Sequence, residues 1–366
     1  MNPVLIEVRD LEVRFPVRGK GFLNRGPVQE VRAVDGVSFD IRRAETVGLV
    51  GESGSGKTTV GRAILRAIDP TSGTVIYHGR QGDVDLAHAD ESALRDVRGK
   101  LQMVFREGGV PVHSLSGEAL RLFRPRMSLV FQDPYSSLNP RMTVRDIIAE
   151  PLIAGGVMRD RAQIDARVRE IAARCKLDLE HLRRFPHAFS GGQRQRICIA
   201  RALVARPDFV VCDESVSALD VSIQAEIVNL LKDLQEEMGV AFLFIAHDLS
   251  VVAQMSHRVA VLYVGKFVEY APTENLFFAP RHPYTHALLS AVPRADPDAV
   301  FDPIRLDGEI PSPLSAPSGC RFHTRCPFAR DRCKTETPAW REIAPEHFVA
   351  CHYAEEFDFS RPRAAA

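Results

Sequence analysis

Residues 45–65, ETVGLVGESGSGKTTVGRAIL, constrain the fold more than any other stretch of the chain. A short apolar strand, Thr46 to Val50, turns through glycines and continues as a helix. Gly51, Gly56, Lys57 and Thr58 fit the spacing G-x-x-x-x-G-K-[ST]. Glycine lets the backbone curl until successive N–H groups point inward at phosphate oxygens. The helix that follows adds the partial positive charge of its N-terminus. Lys57 is then placed to reach the β- and γ-phosphates and the Thr58 hydroxyl to bind Mg2+, with Ser53, Gly54, Ser55 and Thr59 completing the cradle. A Gly/Ser-rich turn before an ordinary helix is the alternative, but the flanking strand and helix favour a nucleoside triphosphate site.

A second constraint is FVVCDES. Phe209 to Cys212 form an apolar run suited to a buried parallel strand, and the run ends in two carboxylates. Asp213 at the strand end suits an Mg2+–water ligand. Glu214, one residue on, is placed to polarise water for in-line attack on the γ-phosphate. About twenty residues earlier FSGGQRQRICIARAL begins a helix with bare glycines at Gly191 and Gly192. Its N-terminus is another anion-reading end. Two such ends in one chain suggest either two nucleotides or a dimer that shares them.

These residues together resemble the ATPase subunits of ATP-binding-cassette (ABC) transporters. GESGSGKT resembles Walker A, Gln132 in VFQDP the Q-loop, and FSGGQ the LSGGQ signature with Phe189 in place of Leu. VVCDE resembles Walker B, SALD (Ser217 to Asp220) the D-loop, and His247 in FIAHDLS the switch histidine. The resemblance implies a head-to-tail pair of subunits, each ATP lying between one subunit's phosphate loop and the other's signature helix. Ser190, Gly191, Gly192 and Gln193 would then serve the partner's ATP, with Asp220 in the D-loop between them. Gln132 would join Thr58 and Asp213 around Mg2+, sense the attacking water and link the site to the membrane partner. His247 would contact the γ-phosphate beside the catalytic Glu214. Phe15 in VRFPV is the best placed aromatic to stack on adenine, a core strand aromatic being the alternative.

VRAVDGVSFDI, QDPYSSLNPRMTV, RHPYTHALLSAVP and GEIPSPLSAPSGCRFHTRCPFA narrow the resemblance to oligopeptide/dipeptide importer ATPases, more closely the second of the two ATPase subunits they carry. That implies a heterodimer with a sister ATPase, two transmembrane permease subunits and an extracytoplasmic substrate-binding protein. Nickel, sugars and other small solutes use similar ATPases, so peptide is the default cargo rather than one read from residues. A soluble ABC-type ATPase of DNA repair or translation is a competing reading, but the chain has neither a second cassette nor a long coiled-coil insertion. A redox module with a secondary ATPase is another.

The expected architecture is α/β: a P-loop ABC ATPase over residues 1 to about 275, with an N-terminal antiparallel β part, a mainly parallel sheet and a helical subdomain at about 140–190. Two stretches depart from a minimal cassette. Ala93–Arg106 and Ala119–Gln132 are imperfect copies offset by 26 residues, marking about 93–118 as an insertion. RFPVRGKGFLNRGPVQEVRAV reads as a solvated hairpin. YVGKFVEYAPTENLF is expected to close the ATPase with strands, and from about 276 prolines crowd into a loop-rich extension whose one clear helix is PYTHALLSAV.

Lys+Arg and Asp+Glu both total 47, which argues against a nucleic-acid partner held by bulk charge. No signal-peptide pattern opens the chain and no apolar run approaches 18 residues. The expectation is therefore a protein at the cytoplasmic face of the inner membrane, attached through the permeases. In that compartment Cys320, Cys326, Cys333 and Cys351 are not expected to form disulfides. Their spacing lacks the C-x2-4-C knuckle of structural zinc sites and the tight ferredoxin run, leaving zinc (with His323, His347 and His352 as rival ligands) and iron–sulfur open. Resemblance to the peptide-importer ATPases implies a four-cysteine [4Fe–4S] cluster with a structural role.

Overall fold

The computed structural model describes residues 2–18, 28–78, 110–117, 120, 123–131, 133–292 and 302–360. Near the N-terminus, β1 (Val4–Arg18) and β2 (Val28–Arg42) pair antiparallel from Val4 opposite Arg42 to Arg18 opposite Val28. These are the arms of the expected hairpin, whose tip lies outside the described residues. After β3 (Thr46–Val50), β4 (Ser72–Tyr77) and β5 (Val110–Pro111) complete a four-stranded sheet in the order β2-β1-β4-β5. Most of the expected insertion lies outside the described residues; part of its end supplies β5 at the sheet edge.

The second sheet has eight strands, in the order β11 (Arg341–Ala344), β12 (His347–Val349), β10 (Lys266–Pro272), β9 (Arg258–Tyr263), β3, β8 (Ala241–Ile245), β7 (Phe209–Asp213) and β6 (Met127–Val130). Its parallel part is β3 with β6, β7, β8 and β9. β3, β7, β8 and β9 are buried along their whole length, which is why they read as continuous apolar runs rather than alternating ones. Helix α1 (Lys57–Ile64) buries Val60, Ala63 and Ile64 in one core with Ile6, Val8 and Ile41 of the antiparallel sheet and Leu49 and Leu243 of the parallel one.

Helices α2 (Val144–Ala154), α3 (Arg161–Arg174) and α4 (Gly191–Leu203) make the helical part. Each begins at a side-chain cap, Thr143, Asp160 or Ser190, that accepts from a backbone N–H otherwise unpaired in the first turn. Helix α5 (Val221–Met238) starts on Asp220 and stops at Gly239. Helix α6 (Leu249–Met255) follows β8, capped by Asp248.

Strand β10 (Lys266–Pro272) is antiparallel to β9, and the short helix Thr273–Phe278 follows it where the sequence suggests continued strand. The tail contains the expected helix, α7 (Pro283–Ser290), and is otherwise largely irregular. It also returns to the sheet: β11 (Arg341–Ala344) pairs with β12 (His347–Val349), and β12 pairs with β10 through Glu269 opposite Val349. Glu269, fully buried, accepts from the Arg281 and His282 backbone N–H groups at 2.7 and 3.0 Å and bonds His347 Nε2 at 2.7 Å. Such satisfaction is what makes a buried carboxylate tolerable. Phe322 inserts between the rings of Tyr263, Tyr284 and His282, with centroids 5.2, 5.3 and 5.7 Å away. Burying a ring of that size stabilises the tail's seat by roughly 2–3 kcal/mol.

Candidate functional site

The phosphate-type loop, the two carboxylates and His247 all follow the C-terminal ends of neighbouring parallel strands, β3, β7 and β8. In open α/β sheets that edge is where ligands are received.

Two glycines make the loop possible. Gly51 has φ +147° and a Cβ there would stand 2.1 Å from the Leu262 carbonyl oxygen; Gly56 has φ +108° and a Cβ would stand 2.2 Å from that of Ala33. Larger residues would therefore lose both conformation and space. Lys57 Nζ donates to the Gly51 and Glu52 carbonyls at 2.8 and 3.1 Å, folding the loop around the ammonium. Burial lowers the Lys57 pKa, opposed by the charges of Glu214, Asp213 and Glu52. Ser53 and Gly54 are exposed; Thr58 and Thr59 are half-buried at the start of α1. Ser55 Oγ is buried without a hydrogen-bond partner, a polar atom that a phosphate or its water would satisfy.

The Thr58 hydroxyl donates to Asp213 Oδ1 at 2.8 Å. Burial raises the Asp213 pKa, restrained by the Thr58 hydrogen bond and by Arg62, whose Nη2 lies 3.8 Å away. A hydroxyl and a hard carboxylate side by side are the donor types Mg2+ takes. Arg62 was not among the residues expected from sequence. Its position four residues after Thr58, on the same helix face, is the signal that could have found it.

Glu214 adopts φ +47°, its N–H donates to the Ile245 carbonyl, and its own carbonyl accepts from Ser217 N–H and Oγ. A non-glycine residue in that region costs about 1–3 kcal/mol and is kept where surrounding structure fixes it. Glu214 Oε2 lies 3.9 Å from Nδ1 of His247, an imidazole that is 62% exposed. Phe15 is 38% exposed, unlike a core aromatic. It lies opposite Val31, two residues from Ala33, whose carbonyl touches Gly56. Gln132 lies outside the described residues.

Ser190 and Gln193 close a capping box: Gln193 N–H donates to Ser190 Oγ at 3.4 Å and Ser190 N–H to Gln193 Oε1 at 3.0 Å. Ser190 and Gln193 are exposed, Gly191 half-buried and Gly192 buried. Their helix, α4, packs on α2, α5 and β6. Asp220 caps α5 by accepting from Ile223 N–H at 3.1 Å.

All seven cysteines are free thiols. Cys175 and Cys212 are sealed in the core, where burial pushes both up to about 12. The tail's Cys320, Cys326, Cys333 and Cys351 line one cavity with Phe322, Phe328, Tyr353 and Phe357. Burial lifts Cys320, Cys326 and Cys351 to about 11, while backbone N–H groups of Phe322, Phe328 and Tyr353 point at their sulfurs and oppose the rise. Four thiols around one cavity, three with N–H donors, are a donor set suited to iron–sulfur ligation. Among the described residues no group of three or more His, Cys, Asp or Glu side chains is placed to hold a metal ion. That finding favours neither zinc nor an iron–sulfur cluster over the other. His347, named as a rival ligand, is engaged by Glu269, and His352 by the Glu336 carbonyl.

Comparison with known proteins gives two family matches: ABC transporter over residues 34–217, and the oligopeptide/dipeptide transporter C-terminal region over 268–333. A putative peptide import ATP-binding protein of Brucella ovis is 49% identical over 347 residues, spanning 95% of this chain and 97% of that one. An oligopeptide transport ATP-binding protein of Bacillus subtilis is 46% identical over 352 residues, spanning 95% and 97%. Among solved structures, a dimeric bacterial ABC transporter cassette aligns with TM-score 0.56 at 24% identity, covering 74% of this chain and 99% of that one. CbiO1 of Clostridium perfringens aligns with TM-score 0.57 at 21% identity, covering 75% and 91%. At those identities the structural likeness speaks for the fold alone. Among the described residues no helix is long and apolar enough to cross a membrane.

Proposed function

Because the chain belongs to the ABC transporter ATPase family and carries the oligopeptide/dipeptide transporter C-terminal region, we propose that it binds and hydrolyses ATP to power a membrane importer of peptides. The observation that carries the catalytic half is the convergence of Lys57, Thr58, Asp213, Glu214 and His247 at one edge of the parallel sheet. The cargo half rests on the C-terminal region and on the names of its relatives.

In this reading the backbone from Gly51 to Thr59 cradles the phosphates and Lys57 leaves its two carbonyls to take the β- and γ-oxygens. Thr58, Asp213 and Gln132 would hold Mg2+, which when bound would supply charge neutralisation for the phosphoryl group. Glu214 orients a water in line with the γ-phosphorus and accepts its proton as the bond to the β-γ bridging oxygen breaks, giving ADP and phosphate. His247 contacts the γ-phosphate, and Phe15 stacks on adenine.

The capping box leaves Ser190 and Gln193 at an exposed helix start, as a surface offered to another subunit would require. We assign that subunit as a sister ABC ATPase packed head to tail, Asp220 lying between the two sites. Residues 1 to about 275 act as the cassette and 276–366 as the C-terminal domain. The assembly includes two permeases and a substrate-binding protein, which places the chain at the cytoplasmic face of the inner membrane. The four tail cysteines hold a [4Fe–4S] cluster of structural role, supported by their shared cavity and the N–H groups aimed at sulfur. Anaerobic purification should return about four iron and four sulfide per chain; one zinc per chain and no iron would contradict the cluster.

The importer reading is tested by co-expression with the candidate permeases and reconstitution into vesicles. ATP-dependent accumulation of a labelled pentapeptide is expected. A chain that hydrolyses ATP but neither co-purifies with integral-membrane subunits nor supports uptake would contradict it.

A further inference from the structure

Glu52, the second residue of the phosphate loop, is engaged through its backbone and its side chain. Its backbone N–H donates to the Tyr284 hydroxyl at 3.0 Å, and its carbonyl accepts from Lys57 Nζ at 3.1 Å and from Ser55 N–H at 3.2 Å. Its carboxylate receives both terminal nitrogens of Arg325, at 2.7 and 3.1 Å. Arg325 and Tyr284 both come from the tail, 273 and 232 residues away in sequence.

Arg325 stands directly before Cys326, in the same turn that plants Phe322 against Tyr263 and Tyr284. Four residues earlier, Arg321 pairs with Asp35 and donates to the Val264 carbonyl, so the turn is fixed on both sides of Phe322. The Arg325 side chain is 7% exposed and that of Glu52 24%, so the pair is sheltered rather than a solvated surface bridge. A two-pronged guanidinium–carboxylate contact fixes orientation as well as charge.

The charge matters because of where it sits. The Glu52 carboxylate is close enough to act on Lys57, the one ammonium inside the loop. Left unpaired, it would put a negative charge beside a loop built to receive phosphates. We propose that Arg325 is a positioning residue for the phosphate loop: with the Tyr284 hydroxyl it neutralises and orients Glu52, so that the cysteine-bearing tail sets the affinity of the nucleotide site. The inference rests on the reading of this loop as the ATP site.

The experiment measures equilibrium binding of trinitrophenyl-ATP with Mg2+ to the full chain, comparing wild type with Lys57→Ala, Arg325→Gln, Glu52→Gln, Arg325→Gln/Glu52→Gln and Tyr284→Phe. Arg325→Gln is expected to weaken binding about tenfold, less than the roughly 30-fold or more that truncation costs at a buried charge pair itself, because Arg325 acts on the nucleotide through Glu52. Adding Glu52→Gln should restore affinity to within about threefold of wild type, because no charge then needs neutralising. Damage to the fold would not be relieved by a second substitution. Wild-type affinity in Arg325→Gln, or a loss that Glu52→Gln fails to relieve, overturns the proposal. Should Arg325→Gln not fold, Tyr284→Phe decides: about threefold weaker binding supports the clamp, and unchanged affinity overturns it. Wild-type protein that does not bind, or binds equally well as Lys57→Ala, overturns both the ATP reading and this inference. Normal dependence on Lys57 without dependence on Arg325 overturns the inference alone.

Discussion

The Thr58 hydroxyl donates a 2.8 Å hydrogen bond to the Asp213 carboxylate, tying the first turn of α1 to the end of β7. Asp213 is almost fully buried, and burial works against its charge. Thr58→Val keeps the shape but removes the donor. It should cost about 1–3 kcal/mol of stability in denaturant unfolding. It should also lower Mg2+-dependent ATP turnover by roughly 100-fold, as loss of a preorganised polar contact does. Thr58→Ser should recover most of both. Equal loss in the serine variant would show that the methyl group, not the hydroxyl, matters.

Phe15 offers a ring that is 38% exposed on β1, opposite Val31 of the strand whose Ala33 carbonyl lies against Gly56. Stacking of a base on an aromatic ring is worth about 1–3 kcal/mol. Phe15→Ala is therefore expected to raise the ATP dissociation constant about tenfold, with Phe15→Tyr near wild type. Tripolyphosphate binding, which has no base to stack, should not change. A parallel loss for tripolyphosphate would mean that Phe15 supports the strand rather than the adenine.

His282 caps α7 by accepting the Tyr284 N–H at 3.1 Å on Nδ1, and complete burial lowers its pKa from 6.5 to about 3. The folded chain thus resists a proton that the unfolded chain takes up. Its contribution is full above pH 6.5 and is lost as pH falls toward 3. The slope is about 1.4 kcal/mol per pH unit within that window. Unfolding measured from pH 7 to 4 should show it, and His282→Asn, which keeps an acceptor without titrating, should remove that increment. An unchanged slope in His282→Asn would assign it to other groups.

What could be read from the residues alone was what a short stretch of backbone encodes. The glycines of the phosphate loop, the apolar run into Asp213 and Glu214, and the glycine-led helix start at Gly191 are local patterns, and each sits on the element its pattern demands. The two-residue alternation around the N-terminal hairpin was legible for the same reason. The hidden contacts are those that depend on where distant segments meet. Nothing near Glu269 announces His347, which reaches it across 78 residues, nor does the proline-rich tail advertise a hairpin at the sheet edge. Glu52 reads as filler between two glycines until Arg325 arrives from the far end of the chain. The cysteine spacing left zinc and iron–sulfur open because sequence fixes separation along the chain, not distance across a cavity.

The central claim is that this chain turns over ATP with Glu214 as the group that activates water, and Glu214→Gln tests it most directly. The variant keeps the size and one acceptor of the side chain but cannot take a proton. With the chain assembled in its transporter complex, ATP affinity and hydrolysis are measured together. Affinity equal to or tighter than wild type, with hydrolysis reduced at least about 100-fold, is the predicted result. Hydrolysis within a few fold of wild type at unchanged affinity would contradict the account.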